Sequence, residues 1–547
     1  MKIKNLLACF LLTAPFYSHS SVFTIPLNTE VVFQATSYNQ SFNRQTIPIP
    51  AGTSLQVYNY LYVNASAGDT FFIDATTQSS NGYFSRTPIQ FNGLAGNSVT
   101  PIVIKNTNGK KIHITQASNQ SSYGLVFYNC NYIKVTGYEN GTSFNLKISG
   151  FTNNAGMGII FDKGTKNVEL EHTEISYTGA QGVQFKSIEP YNGSKVVTDT
   201  NYFRSYVNQA TLGTGLFHDN YIHNIHSEGF YIGSTAYNVG DGLAIKINQT
   251  FAESLNKNGI INYNNGSWRF LPHLAENILV YNNIIDSTGW DGIQVACAKN
   301  YKIYNNKISN WGYNKIYNQM YGIIVGAPSI GEVFNNSLKV GNGSAIQCFG
   351  VQNRFFNNLI VNANIDSKEA TWWAINSIYL SDKSCTPQVL SRLGLTYSQT
   401  LFVAAHNTII MHPNDSGRAI SFFQTFPKLT IAKSYNNLVV KDPWPTVLNT
   451  SSVTFPNPII VANPQQTNFS VANNYIGTDI QMVGFANEPN GNYDLIPNCI
   501  ACRNALPLKQ AANDKIYLDY NNSSRKTNAT TNTSISKPSF GCFETEN

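Results

Sequence analysis

The chain has 547 residues and a net charge of +6, and only 12% of its residues are Asp, Glu, Lys or Arg. No Lys or Arg run stands out, so nucleic acid and anionic membrane surfaces are not expected partners. Beyond the N-terminal segment no stretch approaches the roughly 18 apolar residues of a membrane span.

Taken in chain order, the first segment reads as an export signal. Lys2 and Lys4 precede LLACFLLTAPF, and the small residues Ser18 and Ser20 follow, the charged–apolar–small order of a signal peptide. Residues 1–20 are therefore expected to send the protein out of the cell or into a periplasm. Residues 21–97 are expected to form a cap and first coils, and residues 98–547 a continuous repeat domain with its closing segment. A cap is needed because an open solenoid end exposes unpaired strand edges.

Two repeated phrases then run in step. One is a small residue followed by apolar–any–apolar: GVQF at Gly182, GFYI at Gly229, GIQV at Gly292, GIIV at Gly322 and AIQC at Ala345. Its period of two predicts short strands with one buried face, the other carrying Gln184, Tyr231, Gln294, Ile324 and Gln347. The second phrase places an asparagine in a constant apolar frame, as in HDNYI, YNNII, YNNKI, FNNSL, FNNLI, AHNTI, YNNLV and ANNYI. The shared residues are Asn220, Asn283, Asn306, Asn336, Asn358, Asn407, Asn437 and Asn474, with closest steps of 22 and 23 residues. No helical 3.6-residue stripe accompanies them. Short strands at that period predict an all-β solenoid, a single right-handed parallel β-helix with an N-terminal cap and long inserted loops. Stacked asparagines at one turn are expected to hydrogen-bond along the axis.

The closing sequence LDYNNSSRKTNATTNTSISKPSFGCFE carries Asp519, Arg525, Gly541, Phe543 and Glu544 in the order of a common β-helix ending. With GDTFFIDA (Gly68 to Ala75) and TPIVIKNTNGKKIHI (Thr100 to Ile114) near the start, the chain resembles the secreted bacterial β-helix proteins of the pectate-lyase-like group. That resemblance implies the fold over most of the chain. It leaves the activity open among lyases, hydrolases, epimerases, tailspikes and adhesins. Asn521 to Ser536 is expected to be an excursion before a last strand, Phe540 to Glu544. Cys499 and Cys502 are expected to form a packed thiol pair or a local disulfide, and a zinc site is not expected.

A β-helix core is filled by stacked side chains, so a site must use an outer face walled by loops. The steps from Gly182 to Gly229 and from Gly229 to Gly292 are 47 and 63 residues, against 30 and 23 for the next two. Long excursions therefore flank Gly229 and Gly292, and Trp268 lies on one of them. The residues just before the marker small residues are Gln181, Glu228, Asp291, Tyr321 and Ser344. Glu228 and Asp291 are expected to stack in neighbouring coils, where mutual repulsion makes an acid and a base from one residue type; the competing reading is that both cap turns. TGWDGIQV around Asp291 faintly resembles a polygalacturonase phrase, but no Gly-His-Gly or Arg-x-Lys motif accompanies it.

Other candidates gather near this pair. His226 is expected to assist Glu228, and Gln181, Tyr231, Trp268, Trp290 and Gln294 are candidate sugar contacts, aromatic faces for C–H surfaces and amides for hydroxyls. His218, His223 and His226 could hold zinc by ligand type but need not converge, and Asp219, Glu228, Asp241 and Asp291 make calcium conceivable; no metal is required. The expected function is a secreted, monomeric, polysaccharide-degrading glycoside hydrolase. The alternatives are a lyase acting on a uronate polymer, with Lys186, Lys246 or Arg269 as cation, and a non-catalytic glycan-binding or adhesin-like β-helix.

Overall fold

The computed structural model describes residues 21–25, 31–35, 54–57, 60–73, 89–106, 111–115, 123–138, 141, 143–186, 211–234, 243–245, 261–264, 267–270, 273–365, 373–378, 390–391, 393–412, 418–423, 431–441, 459–461, 469–477, 479–487, 490, 492–495 and 541–542. The proposed signal segment, Asp241, Lys246, Cys499, Cys502, Asp519, Arg525, Phe543 and Glu544 lie outside the described residues.

One coil shows the plan. Leu274–Tyr281 lies in a first sheet, A; a two-residue turn leads to Ile284–Thr288 in sheet C; a second turn leads to Ile293–Ala296 in sheet B; and Ala298–Tyr304 returns to sheet A one coil on. Sheets A, B and C contain 13, 14 and 11 strands, and coil-to-coil pairing is parallel throughout. The fold is a right-handed parallel β-helix. The long steps around Gly229 add no further coil, because Val183 pairs directly with Phe230 and Phe230 with Ile293.

The asparagine ladder forms as its spacing predicts. At each A-to-C turn the first residue of the pair is left-handed, for example Asp219, Asn282, Asn305, Asn335, Asn357, His406, Asn436 and Asn473 at φ of 54–55°. Asn, Asp and His tolerate that region better than other L-residues, which explains the doubled Asn in the phrase. The second residue is the rung. Asn306 Nδ2 donates to Asn336 Oδ1 at 3.0 Å and to the Val280 carbonyl at 2.9 Å, while its Oδ1 accepts the backbone and side-chain N–H of Asn283, both at 3.0 Å. The same bonds run from Asn220 to Asn474. Thr173 begins the column, its hydroxyl donating to Asn220 Oδ1 at 2.8 Å; without an amide it was not legible as a rung.

The marker glycines have a steric cause. A Cβ on Gly292 would lie 2.6 Å from the carbonyl oxygen of Gly322, and one on Gly229 would lie 2.6 Å from that of Gly292. No side chain fits where adjacent coils approach this closely. Inside, aromatic rings stack along the axis: Phe91 on Phe127 and Phe127 on Phe161, each at 5.0 Å between centroids.

Both ends are modified. Ser54–Val57 runs antiparallel to Tyr60–Val63 at the edge of sheet B. At the other end Leu359, Val361, Ile410, Leu438 and Val440 cluster with Val483, Tyr493, Leu495 and Cys542, so the chain after the last coil folds back onto sheet C. Gly541 and Cys542 form a bend, where a strand was expected, and the Cys542 N–H donates to Thr408 Oγ1 at 3.0 Å.

Replacing Asn306 by Ala strands the Val280 carbonyl and the Asn283 donors of the preceding coil and removes one of the donors to Asn336 in the next. It is expected to cost about 3 kcal/mol or more in chemical denaturation. Asn305→Gly keeps the left-handed turn and is expected to change stability by no more than about 0.5 kcal/mol.

Candidate functional site

The register that stacks the glycines also stacks the residues before them. The N–H groups of Gly182, Gly229, Gly292 and Gly322 donate to the carbonyls of Glu228, Asp291, Tyr321 and Ser344 at 2.9–3.1 Å. Gln181, Glu228, Asp291, Tyr321 and Ser344 are thus one column in successive coils at the C-to-B turn. Beside it runs the outward column of sheet B, in which Gln184, Tyr231, Gln294, Ile324 and Gln347 pair in series. Its outward direction is set by alternation: Ile293 and Val295 join the main core, whereas Ile324 packs in a separate cluster with Met320, Tyr321 and Phe349.

Glu228 and Asp291 are almost fully removed from water, at 2% and 0% exposure. Glu228 Oε2 accepts Gln181 Nε2 at 2.9 Å, and Asp291 Oδ1 accepts the Tyr321 N–H at 2.8 Å. Burial raises the Glu228 carboxyl to about 7, partly offset by hydrogen bonds, including that from Gln181, and by the charge of Lys186. Burial also pushes Asp291 well above the usual carboxylate range; the Glu228 charge raises it further, and the Tyr321 N–H opposes this. Two carboxyl groups thus share one dehydrated place and favour the singly protonated state near neutrality. Both sequence readings meet at Asp291: one oxygen caps a backbone N–H, while Oδ2 is buried without a hydrogen-bond partner. Gln181 Oε1 and Gln294 Oε1 are likewise buried and unpartnered.

The remaining candidates divide. Tyr231 is half-buried, with Lys186 Nζ 5.1 Å from its ring centre. Trp290, also half-buried, is fixed by its N–H donating to the Ser227 carbonyl. His226 does not reach Glu228 as expected: it is exposed, and its backbone carbonyl and ring nitrogen face Asn314 Nδ2 at 2.8 and 3.4 Å. It precedes a turn that rotates the next two residues into cover. Trp268 belongs to a small antiparallel sheet, Leu243–Ile245, Ser267–Phe270 and Ile261–Asn264, where it pairs with Ile245 and Tyr263; its side chain lies outside the described residues. The three histidines do not converge: His218 ends a sheet A strand, His223 lies in sheet C and His226 in the following turn. Asp219 sits with His218, away from Glu228 and Asp291.

The loop from Gly312 to Met320 escaped the sequence reading. The Tyr313 hydroxyl donates to the Ile225 carbonyl at 3.0 Å, the Gly312 N–H to the Trp290 carbonyl, and Asn314 to His226. The loop therefore folds back over the turns carrying Glu228 and Asp291. It presents Tyr317, Ile316 and Tyr313 at 63%, 45% and 42% exposure, and the Tyr317 hydroxyl is close enough to Tyr321 to raise its ionisation. The signal available in WGYNKIYNQMY was aromatic density in a turn. Its spacing fits neither repeated phrase.

A second polar cluster lies on the outer side of sheet A. Glu169, Glu171 and His218 bring one ligand atom each within 4.8 Å of one another. Lys134 Nζ lies 2.8 Å from Glu169 and 2.9 Å from Glu171, so an ammonium already stands between the carboxylates. His218 bonds Asp219 at 2.7 Å and stacks on Tyr281, which begins a run of rings through Tyr304, Phe334 and Phe356. His218 holds Glu169 down at about 2, aided by Lys134 and opposed by burial. On sheet C, His223 and Lys147 do the same to Glu174, also at about 2. Burial lowers His218, but its bonds to Glu169 and Asp219 outweigh this and leave it raised.

No protein-family model matches the chain, and no curated protein matches it. Among solved structures it is similar to an alginate lyase from Paenibacillus sp. str. FPU-7, at 16% identity over 65% of this chain and 92% of that one, TM-score 0.37. It is also similar to a GH136 lacto-N-biosidase from Eubacterium ramulus, at 12% identity over 82% and 68%, TM-score 0.41. With pectate lyase Pel9A the values are 11%, 95%, 98% and 0.38. Likeness at this level carries nothing about activity; the fold rests on the strand register itself. Among the described residues no helix is long and apolar enough to cross a membrane.

The charge networks set a pH dependence of stability. Glu169 and Glu174 have folded values below their unfolded ones, so their contribution is full above ~4.5 and lost as pH falls towards ~2. The raised His218 contributes fully below ~6.5 and loses that contribution as pH rises through its folded value. Denaturation midpoints followed across pH should fall on the acid side, and Glu169→Gln should flatten that fall.

Proposed function

We propose that the protein is an exported carbohydrate-active enzyme whose site is the Gln181–Glu228–Asp291 column, and that its reaction is hydrolysis of a glycosidic bond. One observation carries this reading: two carboxyl groups in successive coils share a dehydrated place, beside buried amide oxygens that have no partner. In the singly protonated pair Asp291 is the acid, since both burial and its neighbour's charge keep its proton on. It would donate that proton to the glycosidic oxygen as the bond to the anomeric carbon breaks. Ionised Glu228 would stabilise or attack that carbon, and water would complete the exchange with the proton returning to Asp291. Adjacent coils lie ~4.8 Å apart, nearer the ~5–5.5 Å of retaining pairs than the ~6.5–9.5 Å that admits water for inversion. Trp290 and the Tyr313–Tyr317 loop would form the wall against which sugar rings pack.

A lyase reading is favoured by a different observation. Lys186 lies against the Tyr231 ring and lowers Glu228, so a cation stands where a uronate carboxylate could be neutralised before α-proton removal. The two reactions leave different products, a new reducing end alone or one paired with an unsaturated uronate that absorbs in the ultraviolet.

Against a panel of neutral and uronate polysaccharides, hydrolysis predicts reducing ends without that absorbance. Glu228→Gln and Asp291→Asn should each lower turnover at least about a hundredfold with little change in thermal midpoint. The acid limb of kcat/KM should lie near 7, the value to which Glu228 is raised, and Lys186→Met should move it upward. Ultraviolet-absorbing products abolished by Lys186→Met would replace hydrolysis with the lyase reaction. Tyr317→Ala should raise KM several-fold and leave kcat within about twofold, as loss of a sugar platform does; a fall in kcat alone would remove Tyr317 from the binding wall.

A further inference from the structure

The outer face of sheet A carries an ordered row of charges, on a different sheet from the carboxylate pair. Lys302 pairs in register with Glu332, and Glu332 with Arg354, so the three stand in successive coils. Their strand neighbours Ile303, Val333 and Phe355 join the main core, so the charged side chains point outward. Lys302 is exposed, and among the described residues no hydrogen bond or ion pair holds it. Glu332 and Arg354 keep 21% and 20% of their side-chain surface open, and their nearest approach, 3.9 Å, is longer than a hydrogen bond. Arg354 Nε has no hydrogen-bond partner. The row therefore reads plus, minus, plus, and no close contact neutralises either cation.

Beside this row, on the same side by alternation, runs the ring stack of Tyr281, Tyr304, Phe334 and Phe356. Successive rings are 5.0, 5.0 and 4.9 Å apart and within 6° of parallel. Their faces are thus occupied by one another, and half-buried Tyr281, Tyr304 and Phe334 turn edges to the solvent. An aromatic face is the negative side of the ring and its edge the positive side. The stack therefore offers no platform for a sugar face and adds to the attraction for anions. Spacing narrows the ligand further. Lys302 and Arg354 are two coils apart, ~10 Å, with Glu332 in the coil between. An anion at every coil would meet Glu332. An anion at every second coil meets only the cations and leaves Glu332 to accept a hydroxyl. An extended 1,4-linked polyuronate has this pattern, because alternate sugars turn over and bring carboxylates to one side at every second sugar.

We infer that Lys302, Glu332 and Arg354, beside the ring edges, form a binding strip on sheet A for an extended acidic polysaccharide with a carboxylate facing it at every second sugar. Arg354 takes one carboxylate with its guanidinium N–H groups, and Lys302 takes the next as a point charge. The strip goes beyond the carboxylate site and does not depend on any reaction there.

Isothermal titration into the full chain tests this, with Glu228→Gln as the background so that turnover plays no part. The probes are a short 1,4-linked oligouronate, its neutral counterpart and a densely sulfated oligosaccharide. The oligouronate should bind most tightly, and Arg354→Gln should weaken it at least about tenfold. Lys302→Gln should weaken it in the same direction, while Arg354→Lys, which keeps the charge and loses the fork, should retain part of the binding. Glu332→Gln should strengthen binding of the sulfated probe. Lys186→Met, on sheet B, should leave oligouronate binding unchanged. Binding that Lys186→Met abolishes and that Arg354→Gln and Lys302→Gln leave intact would overturn the strip. So would equal binding of the neutral or sulfated probe, or no binding at all. Should Arg354→Gln lower the thermal midpoint, Lys302→Gln decides alone, since Lys302 is exposed and supports nothing in the core. Loss of hydrolysis with this binding intact would remove the proposed reaction and leave the strip standing.

Discussion

Everything in this molecule depends on one repeated hydrogen bond, from the side-chain amide of an asparagine to the same amide one coil along. The bond does more than join coils. An Asn rung also takes a carbonyl of the sheet A strand in the preceding coil, as Asn306 does with Val280, so slipping a coil by one residue would unpair groups on both sides. A one-residue slip would also turn every inward side chain outward. The ladder and the apolar period therefore enforce the same register. That register carries Glu228 to Asp291 across 63 residues of sequence.

Given that register, the three outer faces differ because their side chains do. Sheet A carries a ring stack that ends in a compensated charge network at His218. Sheet C is charged at its first coils and covered at its last by the chain folding back. Sheet B keeps buried polar atoms without partners in several coils, at Asp291, Gln294, Gln347 and Ser421. On the other two faces the half-buried charges at Lys134–Glu169 and Lys147–Glu174 are paired. Buried polar atoms without partners also occur at Ser176 and Trp311 of sheet C and at Arg354 of sheet A, so what distinguishes sheet B is that its set includes a carboxyl oxygen, at Asp291.

The sequence carried the fold because a repeat states its rule many times. The doubled Asn encodes both a left-handed turn residue and a rung, and the small residue encodes contact with the next coil. The stacking of Glu228 on Asp291 followed from their place before that small residue. What could not be read was anything stated once. Thr173 acts as a rung without an amide; Tyr317 and Ile316 lie in a loop with no period; and His226 is turned into solvent by a local backbone rotation that alternation does not encode. Burial was also invisible, since Gln347 reads as a surface residue until its face of the sheet is found covered.

The central claim is that the register forces two carboxyl groups into one dehydrated place where they cannot both ionise. Infrared difference spectra between about pH 6 and pH 9 test it without reference to any substrate. The account predicts one protonated carboxyl band that persists to about pH 9 and is lost in Asp291→Asn, and a second, from Glu228, that titrates near 7 in both proteins because burial raises it. No protonated carboxyl above about pH 5, or a band at about pH 9 unaffected by Asp291→Asn, would contradict it.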